Sequence, residues 1–317
     1  MYYLGIDLGG TNIAAAVVDE GFNIIGKGKI KTNCPRPVEE ICDSIYEAGM
    51  LAIDACGLTL GDIEEVGVGC PGSVDPKTGV ICYSSNLGFI NAPVGELLSA
   101  RFGRKVFLEN DANAAAFGEQ LAGAGKGANH FVAITLGTGV GGGVIIDGVI
   151  LSGCNSAGGE LGHTVIVKDG EPCSCGRNGC WEAYASATGL IRQTKRAMEA
   201  DRSSKMWGIA PDLEEVSGCT AFEGLRLGDK TAIAVVKSYC DYVACGLTNI
   251  INIFQPEVVC IGGGISNEGE TLVGPIREYV KRERYSRNVD KQTEIKPAVL
   301  GNDAGIIGAA FLGNIYR

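Results

Sequence analysis

The sequence lacks a cluster of lysines and arginines, a secretory signal and a long uninterrupted apolar segment. Its 27 basic residues are outnumbered by 37 acidic ones, and the net charge of -10 at pH 7 repels the phosphate backbone of nucleic acids. No nucleic-acid partner is therefore expected. The longest apolar stretch, near Val144–Leu151, is interrupted by Asp147 and Gly148. These absences predict a soluble cytoplasmic protein with no membrane partner.

Histidine is scarce, whereas glycine and cysteine are abundant. The 317 residues include two histidines, 48 glycines and 13 cysteines. The glycines follow no three-residue period and 45% of the residues are hydrophobic, which excludes a collagen-like or a disordered chain. Without an export signal, most cysteines are expected to be reduced thiols that pack as small apolar side chains. This expectation covers Cys34, Cys42, Cys56, Cys70, Cys82, Cys154, Cys219, Cys240, Cys245 and Cys260.

A unit of strand, glycine turn and strand occurs twice, over Leu4–Asp19 and Ala133–Asp147. Each second strand ends at an aspartate beside a glycine, which is turn chemistry that leads into a further antiparallel strand. The length also predicts about two domains, so two lobes that begin in the same way are expected. No linker rich in proline, glycine or serine separates them. We place the boundary at a hinge near residues 118–125, between a first lobe of residues 1–118 and a second of residues 119–299.

Apolar spacing predicts further elements that position these hairpins. Residues 201–224 show the least pattern, and Asn302 or Asp303 is expected to cap the last helix. Helices are predicted over residues 38–56, 111–121 and 229–254, and a further helix is predicted to begin at about Trp181. Strands are predicted over residues 66–70, 106–109 and 258–261.

The first hairpin carries a candidate phosphate turn, Asp7-Leu-Gly-Gly-Thr-Asn12. Two glycines let backbone N–H groups approach an anion, and Thr11 adds a hydroxyl. A plain β-hairpin with a glycine loop is the alternative for this segment taken alone. The internal repeat favours the phosphate turn.

The second hairpin carries Gly137-Thr-Gly-Val-Gly-Gly142, which has the glycine spacing of dinucleotide-binding folds. That fingerprint requires a helix directly after the turn, whereas a strand-like segment follows here, so we reject a Rossmann site. Two glycine turns that face each other across a cleft would instead clamp a triphosphate. A third glycine run, Gly262–Gly264, either lets the backbone approach a nucleoside or forms a turn into a helix.

Three thiols lie within eight residues, at Cys173, Cys175 and Cys180, and His163 lies ten residues before the first of them. Three cysteines and one histidine form a tetrahedral zinc set. A redox role is the main alternative, but the strand, CxxC and helix arrangement of thioredoxins is missing. Because protein side chains fill all four positions, the metal is expected to be structural.

Carboxylates and asparagines form a second group of polar candidates. Asp111 stands at the start of an alanine-rich helix, where it either caps the helix or accepts a hydroxyl proton in phosphoryl transfer, and the two roles are compatible. Glu160 and Glu182 lie close to the zinc loop in sequence. Carboxylates and amides suit a polyol ligand, because each sugar hydroxyl both donates and accepts hydrogen bonds.

Together these motifs resemble the ROK family of sugar kinases and repressors from residue 4 to about residue 310. Ser85-Asn-Leu-Gly-Phe89 and Leu300-Gly-Asn-Asp-Ala-Gly305 are most similar to the bacterial ATP-dependent glucokinases of that family, although relatives often carry tryptophan in place of Phe89. The motifs that carry the resemblance are Asp7–Asn12, Glu109–Ala115, Leu136–Gly143, Gly158–His163, Cys173–Cys180 and Ile261–Ile265.

The resemblance implies a two-lobed α/β fold of the actin-like, hexokinase-like (ribonuclease H-like) type, with a cleft between the lobes and residues 300–317 packed back on the first lobe. It also implies an ATP-dependent hexose kinase that forms a homodimer or homotetramer, with glucose as the expected substrate. The implied cofactors are ATP, Mg²⁺ and a structural Zn²⁺.

The resemblance further assigns roles to residues that match the family motifs. Asp111 would be the general base and Asp7 would orient Mg²⁺. Sugar would be bound by Asn86, Asn110, Asp111, Glu160, His163 and Glu182. The ATP site would comprise Asp7, Gly9, Gly10, Thr11, Asn12, Gly137, Thr138, Gly139, Gly262, Gly263 and Gly264. Zinc would be bound by His163, Cys173, Cys175 and Cys180, with His163 also contacting sugar.

Three alternatives stay open within the family. The first alternative is that the substrate is N-acetylmannosamine, mannose, fructose or allose instead of glucose. The second is that polyphosphate replaces ATP as the phosphoryl donor. The third is that the protein is a sugar-binding regulator without catalysis. Regulators of this family carry a helix-turn-helix domain before the first hairpin, and here the first strand is expected to begin by residue 3. A regulator is also expected to lose the general base, whereas Asp111 is present. An enzyme is therefore expected.

Overall fold

The computed structural model describes residues 1–316, which form two compact units. Unit 1 comprises Met1–Ala133, Gly143–Gly159 and the C-terminal residues from Val299, and unit 2 comprises Ile134–Gly142 and Glu160–Ala298. The boundary expected at residues 118 and 119 falls inside a helix of unit 1. The structure places the division further along the chain, because that helix packs within unit 1.

The strands and helices alternate along the chain. The strands are β1 (Tyr2–Leu8), β2 (Asn12–Asp19), β3 (Ile24–Lys31), β4 (Ile63–Cys70), β5 (Ser73–Asp75), β6 (Val80–Ser84), β7 (Phe89–Ala92), β8 (Val106–Asn110), β9 (Phe131–Leu136), β10 (Val140–Ile146), β11 (Val149–Ile150), β12 (Val258–Gly262) and β13 (Glu294–Pro297). The helices are α1 (Val38–Ala55), α2 (Val94–Phe102), α3 (Asp111–Ala122), α4 (Glu182–Ala185), α5 (Ala187–Ala200), α6 (Thr220–Arg226), α7 (Lys230–Phe254), α8 (Glu270–Glu283), α9 (Ala304–Ala310) and α10 (Gly313–Tyr316).

Unit 1 contains a five-stranded sheet in the order β3-β2-β1-β4-β8. The first three strands are antiparallel neighbours, and β1, β4 and β8 run parallel. Helix α9 packs directly on this sheet at two glycines: a Cβ at Gly5 would lie 1.9 Å from the Ile306 carbonyl oxygen, and one at Gly67 would lie 1.9 Å from that of Ala309. Glycine on the strands therefore lets the helix backbone contact the sheet.

A second five-stranded sheet has the order β11-β10-β9-β12-β13. Strands β9 and β10 are each divided between the units, since β9 crosses from Ala133 to Ile134 and β10 from Gly142 to Gly143. The predicted Asp-Gly turn joins β10 to antiparallel β11, and Asp147 and Gly148 have φ of 52° and 75°. Two positive φ values are typical of a type I′ hairpin turn.

Helix α7 of unit 2 is 25 residues long and buries a stripe of apolar side chains along its length. The Asp229 carboxylate caps it by accepting a hydrogen bond of 2.7 Å from the Ala232 N–H. The helix ends at Gln255, which has a left-handed φ of 45° and precedes Pro256. Both ends agree with the predicted helix.

The helix expected from Trp181 is interrupted, which corrects the prediction. Ser186 adopts an extended conformation, and its hydroxyl accepts a hydrogen bond of 3.0 Å from the Gly189 N–H. The serine therefore caps a new helix, α5, instead of continuing α4.

The expected cap of the last helix is also wrong. Neither Asn302 nor Asp303 caps α9 with its side chain, because a short helical turn over Gly301–Asp303 already precedes that helix. The Asp303 carboxylate instead pairs with Lys27 at 2.8 Å.

Several elements had no sequence-based assignment, namely α2, α6, α8, β13 and the antiparallel sheet of β5, β6 and β7. All 13 cysteines are free thiols, as expected, but Cys154 and Cys219 are exposed and so do not pack in a core. Among the described residues, no helix combines the length and the apolar character needed to cross a membrane.

Candidate active site and metal centre

The turn from β8 into α3 presents Asn110 and Asp111. The Asn110 side-chain oxygen accepts hydrogen bonds from the N–H groups of Ala112 at 2.9 Å and Asn113 at 3.1 Å. Asn110 is therefore the N-cap residue, and the Asp111 carboxylate additionally accepts the Ala112 N–H at 2.9 Å. The Asn110 amide also donates to the Gly72 carbonyl at 3.0 Å, which fixes its orientation. Asp111 occupies the first helical position, where the helix dipole favours a carboxylate.

Asp7 interacts with Asp111 within unit 1. Burial, followed by the negative charge of Asp111, raises the pKa of Asp7 to about 6. Two carboxylates that repel each other at the ends of β1 and β8 are a donor set suited to a divalent cation such as Mg²⁺, which prefers oxygen ligands. The chemistry of these side chains thus fits the expected Mg²⁺.

The first glycine turn is held from the neighbouring strand. The Gly9 N–H donates to the Asn12 carbonyl at 2.9 Å, and the Thr32 hydroxyl donates to the Gly9 carbonyl at 2.6 Å. Gly10 and Thr11 are exposed at the tip. Asn86 lies beside this tip, because a Cβ at Gly10 would approach the Asn86 Cβ to 3.6 Å.

The second glycine turn is held by the first two residues of α5 in unit 2. The Gly137 carbonyl accepts the Ala187 N–H at 2.8 Å, and the Thr138 carbonyl accepts the Thr188 hydroxyl at 2.8 Å. The Thr138 side chain stays exposed. Two contacts from the start of one helix therefore fix the backbone of this turn.

Glu182 connects the second glycine turn to the cysteine-rich loop. Its Oε2 accepts the Val140 N–H at 3.0 Å, and its Oε1 accepts the Ser174 hydroxyl at 3.1 Å. A Cβ at Gly139 would lie 2.4 Å from Oε2, so a side chain at this position would displace the carboxylate. Glu182 was predicted only as a sugar ligand, and its structural contacts are additional to that role.

The third glycine run follows β12. Gly263 has φ of 87°, and a Cβ there would lie 2.4 Å from the Leu136 carbonyl oxygen. A short helical turn begins at Gly264. Of the two open alternatives, the structure has the turn into a helix, and a nucleoside contact stays a prediction.

The four predicted metal ligands lie together in unit 2. The ligand atoms of His163, Cys173, Cys175 and Cys180 are all within 4.8 Å of one another. Cys173 Sγ lies 3.6 Å from His163 Nδ1, and Cys175 Sγ lies 3.6 Å from Cys180 Sγ. A zinc tetrahedron with bonds of about 2.3 Å to sulfur and about 2.0 Å to nitrogen has edges of about 3.5–3.8 Å. The residues therefore fit a zinc ion.

The thiols of this cluster differ in their electrostatics. Burial, followed by hydrogen bonds with the neighbouring thiols, raises the pKa of Cys180 to about 12. A hydrogen bond from the Arg177 backbone is the main cause that lowers the pKa of Cys175.

Glu160 is exposed at the start of the short helical turn that carries His163.

Each unit thus gathers part of the predicted site. Unit 1 brings Asp7, Asn110 and Asp111 together and places Asn86 beside Gly10, whereas unit 2 brings the zinc set into contact with Glu182. Sequence reasoning missed Thr32, Ser174 and Glu109, which support these residues. Ser174 and Glu109 lie inside sequence motifs of the site, so their closeness in sequence to the site residues was a usable signal. Thr32 lies outside these motifs, and nothing in the sequence pointed to it.

The model of the ROK family matches residues 3–314 of this chain. The chain belongs to the ROK family. This confirms the resemblance identified from the motifs. The glucokinase of Thermotoga maritima is 40% identical over 311 residues, which cover 97% of this chain and 95% of that protein.

Solved structures of the ROK family share the fold. A ROK family glucokinase from Streptomyces griseus, in complex with glucose and AMPPNP, is 36% identical with a TM-score of 0.79, and the match covers 98% of this chain and 99% of that one. The two-lobed, hexokinase-like α/β fold class is therefore confirmed.

The ROK family also includes regulators. The xylose repressor of Bacillus spizizenii is 29% identical over 311 residues, which cover 97% of this chain and 75% of the repressor. Membership of the family alone therefore does not separate an enzyme from a regulator, and the side chains of the site carry that distinction.

Proposed function

We propose that this protein is an ATP-dependent glucokinase that transfers the γ-phosphoryl group of ATP to the 6-hydroxyl of glucose. The observation that carries the proposal is the 40% identity to the Thermotoga maritima glucokinase over 97% of this chain. The turn from β8 into α3 supports it, because Asn110 caps the helix and Asp111, at the first helical position, interacts with Asp7.

Asp111 is the proposed general base. Its carboxylate accepts the proton of the 6-hydroxyl as that oxygen attacks the γ-phosphorus, and the bond from phosphorus to the β,γ-bridging oxygen breaks to release ADP. Asp111 stands at the first residue of α3, where the helix dipole favours a negative charge. Mg²⁺, when bound, neutralises charge on the phosphates, and Asp7 is the residue proposed to orient it.

The glycine turns are the proposed ATP contacts. Gly9, Gly10, Thr11 and Asn12 form a turn that Thr32 holds in place, with Gly10 and Thr11 exposed at its tip. Backbone N–H groups of such turns bind phosphate oxygens. The same role is proposed for Gly137, Thr138 and Gly139, and Gly262, Gly263 and Gly264 are proposed to contact the nucleoside.

The proposed sugar ligands are Asn86, Asn110, Glu160, His163 and Glu182, together with Asp111. Glu182 accepts one hydrogen bond on Oε2 and two on Oε1, from Ser174 and from the Cys173 thiol at 3.6 Å. A carboxylate has about four acceptor positions, so Oε2 retains capacity for a sugar hydroxyl. Nδ1 is the His163 nitrogen that faces Cys173, which leaves Nε2 for the sugar.

A structural zinc ion is proposed at His163, Cys173, Cys175 and Cys180. When bound, it supplies cross-links that fix the loop on which Ser174 stands, and Ser174 in turn holds Glu182. The residues of the chain carry out the chemistry, and the metal holds them in place. A homodimer or homotetramer is also proposed, to be measured by light scattering of the purified protein.

The proposal is tested by assaying purified protein with glucose, mannose, N-acetylmannosamine, fructose and allose, each with ATP and with polyphosphate. We expect glucose with ATP to have the highest kcat/KM. A second hexose or polyphosphate with a higher value would replace that substrate in the proposal. If glucose binds but none of these pairs yields a phosphorylated sugar, the protein is a regulator.

A further inference from the structure

A tyrosine near the C-terminus contacts a buried carboxylate next to the proposed catalytic pair. The Tyr316 hydroxyl, on α10, donates a hydrogen bond to Oε2 of Glu109, the residue before Asn110. The Glu109 side chain is only 1% exposed at the end of β8. No role for either side chain follows from the proposed reaction, so their contact calls for an explanation.

The other oxygen of Glu109 holds the turn that presents Asn110 and Asp111. Oε1 accepts the Asn110 N–H at 2.7 Å and the Asn113 side-chain amide at 3.0 Å. The carboxylate therefore connects the last residue of β8 to the first turn of α3. The Asn110 N–H and the Asn113 side chain in the first turn of the helix therefore share this one acceptor.

Tyr316 completes the set of donors that this buried carboxylate needs. Burial raises the pKa of Glu109, whereas the hydrogen bonds from Asn113, Tyr316 and Asn110 favour its charged form. Removing one donor from a buried carboxylate leaves an unsatisfied acceptor and favours the protonated group. A protonated carboxyl has less capacity to accept hydrogen bonds, so the hold on Asn110 and Asn113 weakens.

A second contact and burial together keep the Tyr316 hydroxyl as a hydrogen-bond donor to Glu109. The hydroxyl contacts the Ser152 side chain, and burial raises the pKa of Tyr316 well above its usual value, so the phenol keeps its proton and donates a hydrogen bond to Glu109. All of these residues belong to unit 1.

We infer that Tyr316 is a positioning residue for phosphoryl transfer, acting through Glu109 to hold Asn110 and Asp111 in their working geometry. The inference rests on the proposed kinase function. A purely structural contact would stabilise the protein without affecting kcat, and the experiments separate the two roles.

The first experiment compares Tyr316→Phe with the matched control Tyr46→Phe, which removes a hydroxyl from a partly buried tyrosine on α1 of the same unit. We expect Tyr316→Phe to lower kcat by about 5- to 50-fold, because small displacements of reacting groups are costly. The KM for ATP should stay within about 2-fold, and Tyr46→Phe should leave kcat unchanged. A lower unfolding temperature with unchanged kcat would overturn the inference.

The second experiment tests whether Tyr316 acts through Glu109, using Glu109→Gln and the double variant. If it does, Tyr316→Phe should change kcat by less than about 2-fold in the Glu109→Gln background, because the coupling is already lost. Independent, multiplying effects of the two substitutions would overturn the inference.

A third readout does not require activity. Hydrogen exchange of the segment over residues 106–115 should be faster in Tyr316→Phe than in the unaltered protein, and unchanged in Tyr46→Phe. Equal exchange in all three proteins would overturn the inference. If the unaltered protein phosphorylates no hexose, the proposed function fails, while faster exchange would still support the hold of Tyr316 on this turn.

Discussion

The backbone N–H of Val140 donates a hydrogen bond of 3.0 Å to the carboxylate of Glu182. Val140 follows the second glycine turn directly, and the same carboxylate accepts the hydroxyl of Ser174 on the cysteine-rich loop. One side chain of unit 2 thus holds both the proposed phosphate turn and the loop of the proposed zinc site.

Replacing Glu182 should therefore affect ATP as well as sugar. Glu182→Ala removes the acceptor for the Val140 N–H, so we expect the KM for ATP and the KM for glucose each to rise by about 10-fold, the cost of about 1.4 kcal/mol. Glu182→Gln keeps an oxygen for Val140 and should restore the KM for ATP. Glu199→Ala on the exposed surface of α5 is the control. A change in the KM for glucose alone would contradict this linkage.

Replacing the proposed base should abolish catalysis without abolishing binding. Asp111→Asn keeps the size of the side chain but cannot accept the proton, so kcat should fall by about 10²–10⁴. Glucose affinity, measured by calorimetry, should change by less than about 3-fold. The control is Asp54→Asn, which changes an exposed residue of α1. Turnover within a few-fold of the unaltered protein would remove Asp111 from the role of base.

The metal cluster should contain zinc. Elemental analysis is expected to find one zinc per chain, because four ligand atoms lie at the spacing of a single tetrahedral site. Cys180→Ser should lose the metal and weaken glucose binding, since the loop carries His163 and holds Glu182. Cys219→Ser, an exposed cysteine outside the cluster, should retain both. Full glucose affinity in zinc-free protein would contradict a structural role for the metal.

Asp7 should make stability depend on pH. Its pKa is raised from 3.8 to about 6, so the folded state holds a proton that the unfolded state has released between these values. The contribution of Asp7 to stability is therefore complete below its unfolded pKa and is lost as the pH rises through the folded pKa. Asp7→Asn should raise the free energy of unfolding by about 1–2 kcal/mol at about pH 8.

Denaturant unfolding at about pH 5 and about pH 8 checks this expectation, because the difference between Asp7→Asn and the unaltered protein should shrink at the lower pH. Mg²⁺ at the higher pH should stabilise the unaltered protein more than the variant. An effect of the substitution that is the same at both values would show that Asp7 does not carry a raised pKa.

Much of the fold follows from local patterns in the sequence. The Asp-Gly turn at residues 147 and 148, the apolar stripe of α7 and the alanine-rich α3 are encoded within a few residues of each other. Helix α8 was not recognised, and it contains Pro275, which usually ends a helix. The interruption at Ser186 depends on one side-chain hydrogen bond, which apolar periodicity does not register.

The site was predictable where its residues form contiguous motifs. The zinc ligands lie within 18 positions of one another, and the structure brings them together as expected. Supporting contacts were less accessible, because they join distant residues. Thr32 reaches Gly9 only through the pairing of β2 with β3, and Tyr316 reaches Glu109 across 207 positions of the chain.

The packing of α9 on β1 and β4 has a consequence for the order in which the protein is completed during translation. Unit 2 lies within residues 134–298, so all of its residues are synthesised before α9. Strand β1 of the unit 1 sheet precedes unit 2 in the chain, yet one face of that sheet stays uncovered until Ile306 and Ala309 reach Gly5 and Gly67. The core of unit 1 is therefore completed only after unit 2 has been synthesised, although its β1 strand is made earlier. Unit 1 is the part of the nascent chain most exposed to chaperones and to aggregation.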